Sequence, residues 1–275
     1  MLKRCYRLRY LFCILLLLIL SVVSFTMAGI SIDAVWPENG NKIAADESLT
    51  VDYSHSDEGY VMVKGKKSKS RLKLRITFGK EVMTYDLNQN GDYEVFPLQY
   101  GSGRYRVVLY RNTSGKKYVQ DGEVSVNAKM IREDAAFLGP NQYVRYTEDM
   151  AVVKKGAELC EGLSSGKKIV EAVRKYVSST YVYDYIQATL VGMGVLPDIE
   201  RCYERRMGIC QDLSALAVCI LRTQGIPARL MIGYADSSYH AWVCATVDGQ
   251  DYQFDPTVDI NAMGKPTKYT LERYY

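Results

Sequence analysis

The sequence predicts two units: an all-β sandwich first, then an α+β unit. Three observations predict this. From Ile30 to Ala128 the chain runs as short alternating segments broken by Gly and Asn, with no helical period. From Lys167 apolar residues recur at helical spacing, and nearer the C-terminus two alternating runs flank a tight-turn dipeptide.

A leader comes first. The first nine residues hold Lys3, Arg4, Arg7 and Arg9 and no acid, an apolar run follows from Leu11 to about Phe25, and the small-residue stretch Thr26, Met27, Ala28, Gly29 closes it. That pattern reads as a secretory signal peptide over residues 1–28. Its apolar core is short against the roughly 20 residues of a comfortable span, so cleavage after Ala28 is favoured over retention as an anchor. On either outcome the remainder is exported, secreted or held at the cell surface, and meets a membrane only through an uncleaved leader.

The whole chain carries a formal charge of +4, which the four leader cations account for. A near-neutral body has no long-range attraction for nucleic acid, so no nucleic-acid partner is expected. The basic run Lys64, Lys66, Lys67, Lys69, Arg71, Lys73 and Arg75 alternates with Leu72, Leu74 and Ile76. It reads as a turn leading into a strand with a solvated face, the alternative being contact with a cell-wall polyanion. Of seven cysteines, Cys5 and Cys13 sit in the leader, leaving Cys160, Cys202, Cys210, Cys219 and Cys244. An odd number in an exported chain leaves a free thiol or an intermolecular bond, and no spacing forms a disulfide framework or a zinc site.

In the first unit, residues 30–128, strands are expected at Leu49 to Tyr53, Tyr60 to Lys64, Leu72 to Phe78, Val82 to Leu87, Tyr93 to Leu98, Tyr105 to Tyr110 and Tyr118 to Val126. About seven strands at this spacing suggest an antiparallel sandwich. The stretch GSGRYRVVLY, Gly101 to Tyr110, resembles the late strand of bacterial immunoglobulin-like modules, which implies a spacer or targeting role. Residues 129–165 read as a linker or helical preface, with a helix from Thr147 to Cys160. The second unit, 166–275, opens with a helix carrying Ile169, Val170, Val173, Tyr176 and Val177 on one face.

The segment Met207 to Tyr234 holds the strongest local signal. Leu213, Leu216, Ala217, Ile220 and Leu221 follow helical spacing and the pattern stops at Gly225 and Pro227, so Cys210 sits where that helix begins. Unpaired amides and the positive end of the helix dipole favour thiolate there, which places Cys210 as a nucleophile. Cys219 and Cys244 lie in apolar runs, where cysteine is a small buried hydrophobe. Downstream, Tyr239 to Thr257 forms two alternating runs around Asp248 and Gly249. With a two-residue loop Val247 faces Gln250, Asp255 lies opposite Trp242, and His240 and Asp255 become diagonal neighbours on one face, roughly 7 to 8 Å apart. A three-residue loop would separate them, and a four-residue loop would restore the shared face. The Cys210 amide is a natural oxyanion donor. The second donor stays unassigned, since the only tryptophans are Trp36, in the other unit, and Trp242, beside the histidine. Among 23 tyrosines, many serve as amphipathic filler; Tyr239, beside His240, is the best cleft candidate and Trp242 a second substrate-binding candidate.

The blocks GICQDLSALAVCILRTQGIPARLMIGY, HAW and DPT, in this order and spacing, resemble the transglutaminase-like superfamily over about Lys167 to Tyr275. The resemblance implies a papain-like α+β core, with the cysteine on a helix packed against an antiparallel sheet. It also implies a triad of Cys210 in GIC, His240 in HAW and Asp255 in DPT, with no metal and no organic cofactor. The chain departs from longer relatives in stopping soon after DPT. The function so implied is acyl transfer at amide bonds of proteins or cell-wall peptides. Hydrolysis by a protease or amidase and cross-linking to a lysine amine both stay open. The alternative is a non-catalytic surface scaffold that retains the fold, and a bacterial surface protein is compatible with the leader.

Overall fold

The computed structural model describes residues 40–192, 194–261 and 266–275. The expected leader and Trp36 lie outside them. No helix among the described residues is long and apolar enough to cross a membrane.

The first half is eight strands in two four-stranded antiparallel sheets. β1 (Ile43–Ala45), β2 (Leu49–Asp52), β3 (Tyr60–Gly65) and β6 (Glu94–Pro97) form one sheet in that order. β4 (Leu72–Phe78), β5 (Glu81–Leu87), β7 (Gly103–Ser114) and β8 (Lys117–Ala128) form the other, in the order β5-β4-β7-β8. All seven expected segments are strands. Alternation explains the facing: Leu72, Leu74 and Ile76 of β4 are buried while Lys73 and Arg75 between them are not. At the start of β7 the Tyr105 hydroxyl donates to the Gly101 carbonyl at 2.7 Å and accepts the Tyr100 amide at 3.0 Å.

Between the halves the chain is tightly packed. A 3-10 turn at Ala135–Phe137 is buried, as are Val144 and Tyr146, whose hydroxyl donates to the Leu138 carbonyl at 3.0 Å. Helix α1 (Ala151–Cys160) then leads to α2 (Gly166–Thr180), which buries Ile169, Val170, Val173 and Val177, the face foreseen from the spacing. Strand β9 (Val182–Tyr183), helices α3 (Tyr185–Leu190) and α4 (Ile199–Arg205), and strand β10 (Met207–Gly208) carry the chain to α5 (Cys210–Thr223).

Every residue of α5 from Asp212 to Arg222 is buried, because α1, α2 and α4 cover one side and the four-stranded sheet of this half the other. A helix enclosed all round needs more than one apolar stripe. That sheet has the order β13-β12-β11-β14, all antiparallel, from β11 (Ala228–Ala235), β12 (Ser238–Val247), β13 (Gln250–Phe254) and β14 (Tyr269–Tyr274). The β12–β13 loop is two residues, with Asp248 and Gly249 at φ 52° and 73°, as a type I′ turn requires. Val247 pairs with Gln250 and Val243 with Phe254, so the register is the expected one.

The halves share one buried apolar cluster. Tyr85 of β5 packs edge-on against Phe96 and Tyr275, with ring centroids at 5.1 and 5.9 Å, and Tyr143 stacks on Tyr275 at 3.5 Å. The Gln99 side chain donates to the Tyr274 carbonyl at 2.7 Å. Arg222, wholly buried, donates to the carbonyls of Ala228, Gly139 and Tyr275 at 2.9, 2.6 and 2.8 Å. Burial pulls its pKa down to about 10, and the three acceptors offset part of the cost of enclosing a cation.

Candidate active site

Cys210 is the first residue of α5, preceded by Ile209 in extended conformation. Its approach is constrained. A Cβ on Gly208 would fall 2.8 Å from Cys202 Sγ and 2.9 Å from Asp212 Cβ, so only glycine lets β10 pass this closely. Gly208 pairs in parallel with Tyr183, which brings that ring to the thiol's side of the molecule. Asp212, in the first turn, is 3% exposed and accepts the Ile209 and Asp198 amides, each at 3.2 Å, and the Gln187 side chain at 2.9 Å. One carboxylate thus ties α3 and the start of α4 to the start of α5. Burial raises its pKa despite these donors.

His240 lies on β12 and Asp255 directly after β13. Nε2 of the ring donates to Asp255 Oδ2 at 2.7 Å, and the ring also interacts with the Cys210 thiol. Since Nε2 is engaged by the carboxylate, Nδ1 is the nitrogen left for sulfur. Burial disfavours a charged ring, but the bonds to Asp255 and Cys210 outweigh it and push the pKa up to about 9. Asp255 is 6% exposed. Oδ1 accepts the amides of Thr257 and Val258 at 3.0 and 3.2 Å, which opens the short helix α6 (Pro256–Asn261), and Oδ2 also accepts the Tyr269 hydroxyl at 2.8 Å. Burial works against its charge, yet His240, Tyr269 and the Val258 amide hold its pKa below the usual carboxylate range.

These residues open on a cleft of about 300 Å³. Cys210, His240 and Tyr239 line it, as do Tyr183, Ile232, Val191, Val195 and Arg273. Burial, with Cys210 nearby, pushes the Tyr183 phenol up to about 12, so it keeps its proton. Tyr239 is 53% exposed and accepts a hydrogen bond from Arg273. Trp242 is a correction: it is 1% exposed, packs 4.9 Å from the Tyr269 ring and does not line the cleft. It shares the alternation of His240 but sits two residues further along β12, where the Tyr269 ring packs against it. Tyr269 and Arg273 arrive on β14 from the far side of β11 and carry no local signal in the sequence. Asp212 does carry one, as an acid at the third position of a helix.

Residues 154–256 match the family model of the transglutaminase-like superfamily, so the similarity to a transglutaminase-like core lies in that segment. An uncharacterized protein of Mycobacterium leprae (strain TN) is 29% identical over 136 residues, 45% of this chain and 45% of its own. The chain therefore spans under half the length of that curated relative. Solved structures similar to it include a provisionally described cysteine protease from Cytophaga hutchinsonii, 18% identical over 73% of this chain and 72% of that one, TM-score 0.40. Another is red sea bream transglutaminase, 14% identical over 72% and 48%, TM-score 0.29.

Proposed function

We propose that this chain is an exported cysteine-dependent acyl-transfer enzyme acting on amide bonds of proteins or cell-wall peptides. Cys210 is the nucleophile, His240 the base and then acid, and Asp255 the group that orients the ring. The observation that carries this reading is the 2.7 Å His240–Asp255 bond in a ring that also engages a thiol at a helix start. A ring with pKa near 9 holds a proton at neutral pH, so it can keep the one it takes from sulfur.

The thiol proton rests on the imidazole, and the sulfur it has left bonds to the amide carbonyl carbon. The carbonyl oxygen becomes an oxyanion facing the Cys210 amide, with the Tyr183 phenol as the side-chain donor on the same cleft wall. The C–N bond then breaks and the amine leaves with the imidazolium proton. Water resolves the thioester to an acid, or an amine resolves it to a new amide. The first half, whose connectivity and Tyr105 corner support an immunoglobulin-like assignment, serves as spacer or targeting module.

The test is incubation of the mature protein with glutamine- and lysine-bearing peptides, reading ammonia release, isopeptide product and cleavage. Turnover lost in Cys210→Ala supports the reading; none with any amide, and no difference in the variant, sinks it. Because Cys160, Cys202, Cys219 and Cys244 are buried, selective alkylation of Cys210 is not by itself diagnostic. Its rate at pH 6 should exceed that of an ordinary thiol, and a rate tracking an unactivated thiol favours the scaffold alternative.

A further inference from the structure

Arg273 is the one arginine or lysine lining the described cleft, and no carboxylate lines it. Its place there comes from a β-bulge. Along β14, Arg273 pairs with Ile232 while Gly233 pairs with Leu271, so the register slips at Glu272. A bulge re-aims the side chain beside it, and Arg273 and its cross-strand partner Ile232 both line the cleft. Gly233 makes the slip feasible, since a Cβ there would lie 2.1 Å from the Thr270 carbonyl oxygen.

Among the described residues, the guanidinium donates a hydrogen bond to the Tyr239 hydroxyl. A guanidinium has five N–H donors in a fixed fork, so most of its capacity remains open beside Cys210 and His240. Arg273 also borders a second cavity of about 670 Å³ between β5 and β14, which Glu81 and Glu272 line. It stands where the two cavities meet. A chain longer than one residue leaving the cleft on this side crosses it, and beyond it the lining turns acidic. The favourable position for an anion is therefore the residue flanking the reacting amide.

We infer that Arg273 sets specificity by binding a carboxylate on the acyl donor, next to the amide that Cys210 attacks. The inference rests on the acyl-transfer reading for the identity of the attacked bond. A guanidinium fork matches a carboxylate bidentately, and the carboxylate comes either from an acidic side chain or from a free chain terminus. The apolar wall of Val191 and Val195 takes the uncharged part of the donor.

The experiment uses blocked glutamine peptides with Glu, Gln or Lys before or after the glutamine, all amidated, and the Gln-flanked peptide with a free C-terminal carboxylate. Wild type is expected to show kcat/KM at least tenfold higher for a carboxylate-bearing peptide than for its neutral counterpart. The Glu-flanked and free-terminus arms tell the two sources apart. Arg273→Gln should reduce that preference to under threefold, and Arg273→Glu should turn it towards the Lys-flanked peptide, a reversal that misfolding cannot produce. Equilibrium binding of the same peptides to Cys210→Ala, with and without Arg273→Gln, gives a readout that needs no turnover. No charge preference in wild type, or a preference that survives Arg273→Gln, overturns the inference and leaves the acyl-transfer reading standing. Arg273-dependent binding without turnover supports the inference and sinks the reading instead. Neither turnover nor binding with any peptide overturns the inference as well.

Discussion

The sandwich and the α+β half are both built on four-stranded antiparallel sheets, yet they bury different kinds of residue. In the sandwich the buried polar groups are few, Asp52, Ser56 and Gln99, and Gln99 reaches out to the other half. Beyond residue 180, Asp184, Asp212, Ser214, Arg222, Asp255 and Thr257 are all buried. An enclosed polar group is costly unless bonded, and here the bonds describe tasks. Asp212 holds the helix start, Asp255 holds the histidine, and Arg222 holds the join between halves. The sandwich follows a simple alternating code, whereas the second half departs from it where chemistry or connection requires.

The largest expected effect tests whether the halves divide labour. Cys210→Ala should lower turnover by about 10⁴-fold or more with little change in melting temperature. Leu74→Ala in the sandwich core, 0% exposed, should cost about 2–5 kcal/mol of stability with kcat unchanged below its melting range. Kinetics and denaturant unfolding of the two variants check both, and exchanged phenotypes would break the division.

Asp255→Asn comes next, with kcat falling by about 10⁴-fold if the carboxylate sets ring orientation as in other such relays. The wild-type rate should fall on an alkaline limb near pH 9, where His240 loses its proton, and the variant's limb should lie lower. The linked stability has a definite sign. With the folded pKa of His240 raised from 6.5 to about 9, its contribution is full below pH 6.5 and is lost as pH rises through 9, by about 3 kcal/mol at one unit per 1.36 kcal/mol. Asp255, whose folded pKa is depressed, acts oppositely: its contribution is present above pH 3.8 and lost as pH falls below it. Melting temperature followed from pH 6 to 10 should drop in wild type and stay flatter in Asp255→Asn.

Arg222→Met asks whether the join is a real unit of stability. It strands the carbonyls of Gly139, Ala228 and Tyr275, and about 3–5 kcal/mol should be lost. Because one apolar cluster spans both halves, wild type should unfold in a single calorimetric transition, and two separate transitions would show the halves to be independent. Smallest is Tyr269→Phe, which removes one hydroxyl from Asp255. It should cost about 1 kcal/mol, seen as a shift in the urea midpoint, with a less than tenfold fall in kcat/KM.

Legibility followed the same contrast. The seven strand segments and the β12–β13 register could be read directly, because alternation and an Asp-Gly turn are local signals. So could His240 and Asp255 as neighbours, since one hairpin places them; that Cys210 joins them was implied only by the family resemblance. Helices α3 and α4 were not foreseen: α3 buries no residue and α4 only Ile199 and Cys202, so neither has an apolar stripe to detect. Trp242 was misjudged because strand alternation gives the face and not the depth along it. Tyr85, Tyr143 and Tyr275 carry no individual signal in the sequence, because they cement the halves through partners distant along the chain.

The shape of the cleft carries an evolutionary consequence. Its sulfur-bearing side is rooted in the most enclosed helix among the described residues, where almost any replacement disturbs packing. Another part of the lining is the reverse: Val195, which borders the cleft, is 51% exposed, and Ile186 and Leu190 on α3 nearby in the chain are 74% and 77% exposed, so these side chains can be exchanged at small thermodynamic cost. Descendants of this chain are thus free to rewrite which molecules they admit while inheriting the reactive apparatus untouched.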